Sequence, residues 1–142
     1  MAGDQRKSGP AEGSGPGYSG TPLPKKLGVK GNVAVVGAPD GFAARIAVTP
    51  SPLKKGAVDV VILFASQQKT LVKALPRAIA SLKEDGNLWI AWPKKSSGVV
   101  TDLDENRLRK MVLATGLVDN KVCAIDETWS GLRFCKRLEN RK

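Results

Sequence analysis

Side chains suited to binding chemistry are concentrated in two short segments of this 142-residue chain. Residues 92–98 read WPKKSSG and residues 126–131 read DETWSG, so each segment combines charged groups with hydroxyls and a tryptophan ring. Such a mixture of stacking and polar groups suits a small ligand or a peptide. Asp126 and Glu127 are adjacent, and neighbouring side chains on an extended chain point to opposite sides, which argues against a cooperating acid and base.

A glycine turn forms the third candidate segment, with Gly37 and Gly41 at its ends and Asp40 between them. The turn matches only part of the G-x-G-x-x-G pattern of phosphate-binding loops, and Pro39 stands where a backbone N–H would be useful. Any tight strand-to-helix connection also needs glycine, so ligand contact and simple turn formation remain alternatives.

The other two segments also have structural interpretations. Lys94 and Lys95 form either an anion clamp or a solvated pair, and Ser96 with its small neighbours would permit a mobile anion-binding loop. Trp92 is a candidate for the core because it ends a strand. Trp129 either packs over the sheet edge or contacts a partner.

The residue counts exclude several classes of mechanism. Histidine is absent, so Ser-His-Asp and Cys-His nucleophiles, a histidine general base and histidine-ligated zinc or haem are excluded. Two cysteines cannot supply a four-thiolate metal site. We therefore expect no catalytic residues and no metal. Cys123 and Cys135 are expected as buried thiols roughly opposite each other on partner strands, with a redox pair as the alternative.

The net charge of +10 is predicted to lie mostly at the two ends. Residues 1–30 hold five cations and two acids, and residues 133–142 hold five cations and one acid. Basic ends attract nucleic acid by releasing counterions, so nucleic-acid binding through the termini is one alternative. The other expected partners are an unknown small molecule or protein.

Composition divides the chain into three parts. Eleven of the first twenty residues are Gly, Pro or Ser, which predicts a disordered tail over residues 1–16. A single domain is expected over residues 17–138, followed by a basic end at 139–142. The apolar run at 58–65 is far shorter than the roughly 20 residues of a membrane helix. With no apolar stretch near the N-terminus, we expect a cytoplasmic protein that does not bind membranes.

Strand and helix patterns alternate from residue 32 onward. The sequence predicts strands at 33–36, 59–65 and 87–92, helices at 39–47 and 71–82 and after Thr101, and a closing hairpin of strands at 117–126 and 131–138. Pro76 should kink or divide the second of these helices. The fold class is therefore α/β, with one Rossmann-like, mostly parallel sheet, a C-terminal antiparallel hairpin and helices on both faces.

In such a sheet, ligands bind beyond the carboxyl ends of the parallel strands. The three candidate segments all follow strands or join the hairpin, so the topology should bring them to one edge. The predicted ligand- or partner-binding residues are Gly37, Asp40, Gly41, Trp92, Lys94, Lys95, Ser96, Asp126, Glu127 and Trp129.

Four stretches of the chain resemble a family of short bacterial proteins recorded as a domain of unknown function. They are GYSGTPLPKKLGV (17–29), VVGAPDGF (35–42), GNLWIAWPKKSSGVVTDL (86–103) and GLVDNKVCAIDETWSGLRF (116–134). The resemblance covers nearly the whole chain after residue 16. It implies a reduced methyltransferase-like Rossmann domain in the cytoplasm, and it carries no catalytic residues over to this chain.

Departures from the methyltransferase pattern favour a function without catalysis. No acidic residue ends a second strand to hold a ribose, and residues 47–58 contain no clear strand signal. We therefore expect no cofactor, with an S-adenosylmethionine-dependent methyltransferase as the alternative. The leading expectation is a cytoplasmic binding or regulatory protein that takes a small ligand or a protein partner at the carboxyl edge of the sheet.

Overall fold

The computed structural model describes residues 22–136, so the predicted tail at 1–16 and the basic end at 139–142 lie outside the described residues. Five strands run through the described part, and each matches an apolar run of the sequence. They are β1 (Val33–Val36), β2 (Val58–Phe64), β3 (Leu82–Pro93), β4 (Leu117–Ala124) and β5 (Trp129–Lys136).

These strands form one sheet in the order β1-β2-β3-β5-β4. The first three strands pair in parallel, and β5 lies antiparallel between β3 and β4. Because β4 is antiparallel to β5, it runs in the same direction as the first three strands. Residues 60–64 of β2 are fully buried, as expected for a strand covered on both faces. The predicted mostly parallel sheet with a C-terminal hairpin is confirmed.

Helices cover both faces of this sheet, as predicted. One face packs against Leu23, Phe42 and neighbours, and the other against Leu71, Leu108 and neighbours. Between residues 22 and 136, no helix combines the length and apolarity needed to cross a membrane. The helices are α1 (Leu23–Lys26) and α2 (Phe42–Arg45) on the first face, and α3 (Gln68–Ser81) and α4 (Glu105–Leu113) on the second.

Helix α3 continues without interruption through Pro76, so of the two outcomes predicted there, a kink or a division, the division is wrong. A proline removes the hydrogen bond to the carbonyl four residues earlier, here that of Val72. Val72 and Pro76 both lie on the solvent side of the helix, where water can bond the freed carbonyl. β3 then begins directly at Leu82, five residues earlier than predicted, and Gly86 lies within the strand.

Helix α4 begins at a side-chain cap. Asp104 accepts a hydrogen bond of 2.8 Å from the Arg107 N–H and is therefore the N-cap residue. Thr101 instead donates its hydroxyl to the Ser66 carbonyl at 2.6 Å and accepts from the Leu103 N–H at 3.0 Å. The loop before α4 is thus attached to the end of β2.

The hairpin register differs from the expected one. Cys123 pairs with Gly131, and Cys135 pairs with Val118. The prediction that the two cysteines face each other is wrong, because the turn is centred one to two residues earlier than expected and the register shifts between Asp119 and Lys121. Both cysteines are free thiols.

The segment between α2 and β2 passes along the outer side of β1 without forming a strand in the described structure. The Ser51 N–H donates to the Val33 carbonyl at 2.8 Å, and Leu53 then packs against the face that carries α3. This segment therefore covers an edge strand that would otherwise expose its backbone hydrogen-bonding groups.

Candidate functional site

The carboxyl ends of the parallel strands meet at one edge of the sheet, as the topology requires. We call this region the carboxyl edge and define it by residues 37–41, 65–67, 94–102 and 125–128. The Lys94 N–H donates to the Thr128 carbonyl at 2.8 Å, which joins the end of β3 to the hairpin turn. The candidate segments do therefore come together, although their side chains have different roles.

The glycine turn is shaped by packing against β2. Gly37 has φ +68°, and a Cβ at this position would lie 2.9 Å from the Phe64 carbonyl oxygen. Gly41 has φ +83° and open space around it, and it directly precedes α2. Asp40 is exposed and has no side-chain partner among the described residues.

The two tryptophans of the predicted site lie on opposite faces of the sheet. Trp92 is 6% exposed and belongs to the core beneath α3 and α4. Trp129 packs on the other face, with its ring edge-on to Phe64 at 4.9 Å, and Phe64 in turn meets Phe42 at 4.8 Å. Trp129 thus has a packing role, and the two rings cannot together bind one stacked ligand.

Asp126 organises the turn between β4 and β5. Its Oδ1 accepts hydrogen bonds from the N–H groups of Thr128 and Trp129, both at 2.8 Å. Its Oδ2 accepts from the Arg45 guanidinium at 3.0 Å, which attaches the turn to α2. Glu127, the next residue, is exposed at the tip of the turn. The two carboxylates therefore do not form a pair, in agreement with the argument from the sequence.

The surroundings of Asp126 keep it ionised. Partial burial opposes the charged form, but the Trp129 N–H, the Arg45 guanidinium and the Thr128 N–H together outweigh it. The net effect places the pKa of Asp126 below its ordinary value. A carboxylate with a lowered pKa and three donors already bound is a poor proton acceptor, so this geometry assigns Asp126 a structural role.

The lysine pair begins a short 3₁₀ helix, Lys95–Ser97. The Ser97 hydroxyl donates to the Lys94 carbonyl at 2.6 Å, and Gly98 ends the turn with φ +77°. Lys95 and Ser96 are exposed. Among the described residues, the side chains of Lys94, Lys95 and Ser96 make no hydrogen bond or ion pair, so they remain accessible to a partner.

Sequence reasoning missed two exposed valines that follow this turn. Val99 is 43% exposed and Val100 is 92% exposed. The loop that carries them is attached at its far end, where Asp102 accepts a 2.7 Å hydrogen bond from the Gln68 N–H. The sequence gives only a weak indication that Val99 and Val100 are exposed, because two apolar residues in a loop can equally pack over the core.

Cys123 does not have the lowered pKa that a nucleophilic thiol needs. Burial raises the pKa of the Cys123 thiol, although nearby lysines and Arg133 oppose this effect. Within residues 22–136, no three residues of the types His, Cys, Asp and Glu are grouped to hold a metal ion.

Comparison with solved structures identifies the architecture. A protein from Sulfolobus solfataricus assigned as a type 11 methyltransferase superposes with a TM-score of 0.59 at 16% identity, over 84% of this chain and 92% of that one. A second structure, LepI in complex with SAM, aligns with a TM-score of 0.46 at 10% identity, over 81% of this chain and 39% of that one. The predicted reduced methyltransferase-like fold is confirmed, and at this identity the likeness concerns the fold alone.

No functionally curated protein matches the chain. Its residues 53–138, from the segment before β2 to beyond the end of β5, match the model of a family described as "Protein of unknown function (DUF3052)". This match covers more than half of the sequence, and the chain therefore belongs to that family.

Proposed function

We propose that this chain is a non-catalytic binding protein that recognises a protein partner through the carboxyl edge of its sheet. The observation that carries the proposal is the loop after β3, where Val99 and Val100 are exposed next to the unpaired cations Lys94 and Lys95. Exposed apolar side chains rimmed by polar groups are typical of protein-binding surfaces.

The residues at the glycine turn support a function without S-adenosylmethionine. Gly37 is required for the close approach of the turn to the Phe64 carbonyl, which already explains its presence. Pro39 offers no N–H to an anion. No acidic residue occurs between Gly41 and Val58 that could hold a ribose hydroxyl. The residues of this turn therefore fit S-adenosylmethionine poorly.

A protein partner is favoured over a small stacked ligand. The aromatic rings needed for stacking are divided between the two faces of the sheet, with Trp92 in the core and Trp129 packed on Phe64. The accessible groups instead lie on one loop, which carries two exposed valines and two lysines without an ion pair in the described structure. A complementary partner would present a shallow apolar pocket with acidic residues at its rim.

Photo-crosslinking at single positions tests this proposal in cells. A photoreactive phenylalanine analogue in place of Val100 should give a discrete adduct with one protein. The matched control is Val122, which is 51% exposed on β4 and lies outside the carboxyl edge. The variant Lys94→Glu with Lys95→Glu should reduce the adduct at position 100 by about tenfold or more, because like charges opposite an acidic rim disfavour binding by on the order of several kcal/mol.

Adducts of equal yield at positions 100 and 122, or an adduct unaffected by charge reversal, would contradict recognition at this edge. Calorimetry with S-adenosylmethionine tests the other part of the proposal. A clear binding heat with the full chain would favour the methyltransferase alternative.

A further inference from the structure

The nearly balanced charge in the middle of the chain conceals a strongly basic segment. Residues 41–83 contain seven cations and one acid, whereas residues 84–132 contain six cations and eight acids. The folded chain places five of these seven cations on one surface, which begins at the N-terminal end of α3, beside the carboxyl edge, and runs along the helix away from that edge.

Helix α3 carries three of these cations in a row. Lys69, Lys73 and Arg77 are spaced four residues apart and all are exposed. At 1.5 Å rise per residue, neighbours along this row are about 6 Å apart and its ends about 12 Å apart. Helix α3 contains no acidic residue. The row therefore lacks the opposite charges that usually accompany lysine and arginine on an exposed helix.

Two further lysines extend the row. The Gly56 N–H donates to the Ala80 carbonyl at 3.0 Å, which holds Lys54 and Lys55 beside the C-terminal end of α3. The row on α3 and these two lysines together form what we call the cationic surface. Its members are Lys54, Lys55, Lys69, Lys73 and Arg77.

Ion pairing within the protein does not neutralise this surface. The other two cations of the basic segment are engaged, since Arg45 lies 3.0 Å from Asp126 and Lys83 lies 3.2 Å from Asp59. Among residues 22–136, no side chain forms an ion pair or hydrogen bond with any of the five members of the cationic surface. Repulsion between like charges at this spacing is unfavourable, and an external polyanion would relieve it.

We propose that the cationic surface binds the phosphate backbone of nucleic acid without reading its sequence. A regular row of cations calls for a partner with regularly repeated negative charge, which a phosphodiester chain supplies. The outward residues beside the row are short, namely Val72, Pro76 and Ala80, so a backbone can approach the helix closely. An acidic protein segment is the competing occupant, but this row offers it no aromatic anchor.

The test is a salt titration of the full chain with a labelled single strand of about 20 nucleotides, followed by fluorescence anisotropy. The salt dependence is the slope of the logarithm of the association constant against the logarithm of the salt concentration. This slope should be less steep by about 2 in the triple variant Lys69→Gln, Lys73→Gln and Arg77→Gln, since each lost phosphate contact contributes about 0.7. Between about 50 and about 200 mM salt, the unaltered chain should therefore lose about 20-fold more affinity than this variant.

The matched control loses the same charge elsewhere, through Lys25→Gln, Arg107→Gln and Lys110→Gln, all at exposed positions. This control should keep the original slope; an equal change in slope would show that only net charge matters and would overturn the proposal. Absence of binding by the unaltered chain, or tighter binding of labelled poly-glutamate than of DNA, would overturn it as well. If a triple variant fails to fold, the single variants Lys69→Gln and Lys25→Gln give the same comparison.

Discussion

Replacing Asp126 with alanine should destabilise the fold, because this carboxylate holds the β4–β5 turn and attaches it to α2. The substitution removes two hydrogen bonds from the N–H groups of Thr128 and Trp129 and one from Arg45. Each hydrogen bond from the two backbone N–H groups contributes about 1 kcal/mol to stability. The ion pair between Arg45 and Asp126 contributes less than about 1 kcal/mol, because the Arg45 side chain is 43% exposed and water screens the charges. We expect a total loss of about 2 to 3 kcal/mol.

Thermal unfolding followed by circular dichroism measures this loss. A change of about 2 to 3 kcal/mol in a chain of this size should lower Tm by about 6 to 10 °C. Asp126→Asn keeps an acceptor for the backbone donors and should lose only about 1 kcal/mol or less, from the ion pair. The neighbouring variant Glu127→Ala is the control, since its exposed side chain has no partner among the described residues, and it should change stability by less than about 0.5 kcal/mol.

The same experiment at several pH values checks the electrostatic argument. Because the pKa of Asp126 in the folded chain is lowered, its contribution is fully present above the unfolded pKa of about 3.9 and is lost as the pH falls through the folded value. The difference in stability between the unaltered chain and Asp126→Asn should therefore shrink in acid.

If Asp126→Ala proves as stable as Glu127→Ala, the structural role of Asp126 is refuted and a functional role is open again.

Two further predictions concern the backbone and the thiols. Gly37→Ala should lower the free energy of unfolding in urea by about 2 to 4 kcal/mol, because the residue has a positive φ and its new Cβ collides with the Phe64 carbonyl oxygen. Gly41→Ala should lower it by only about 1 to 2 kcal/mol, because the Cβ there meets open space, and equal losses would contradict the packing argument. After mild oxidation, both Cys123 and Cys135 should still react with a thiol reagent. The register separates them by about 13 Å along the hairpin, which is beyond the reach of a disulfide, so the formation of a bond between them within one chain would show that the register is wrong.

Much of the architecture could be predicted from local patterns. The buried run of β2, the amphipathic spacing of α3 and the two strands near the C-terminus each determine an element whose type depends on nearby residues. Element ends were less accurate, as β3 shows. Asp85-Gly86 is a common helix terminator, yet both residues lie within β3. They belong to an irregular part of the strand, and pairing with β2 resumes beyond them, where Leu82 pairs with Val58.

The candidate site could be predicted only as a set of segments. Its location at one edge follows from the parallel topology, but the orientation of each side chain depends on register. Ser130 lies opposite Trp92, and Pro93 lies opposite Trp129, so the two tryptophans face opposite sides. A shift of one residue in the pairing register moves every side chain of a strand to the opposite face of the sheet, and no local sequence pattern specifies that register.

The sequence by itself determined the absence of histidine chemistry, the α/β order of elements and the location of the polar segments, since these depend on composition and short-range periodicity. Only the tertiary structure decided that Asp126 is bound by Arg45, 81 residues away, and that the cations of α3 form no ion pair within the described chain. Such long-range pairings depend on how elements pack in three dimensions. The sequence already concentrates cations in residues 41–83, and the fold leaves five of those seven cations without an ion pair in the described chain.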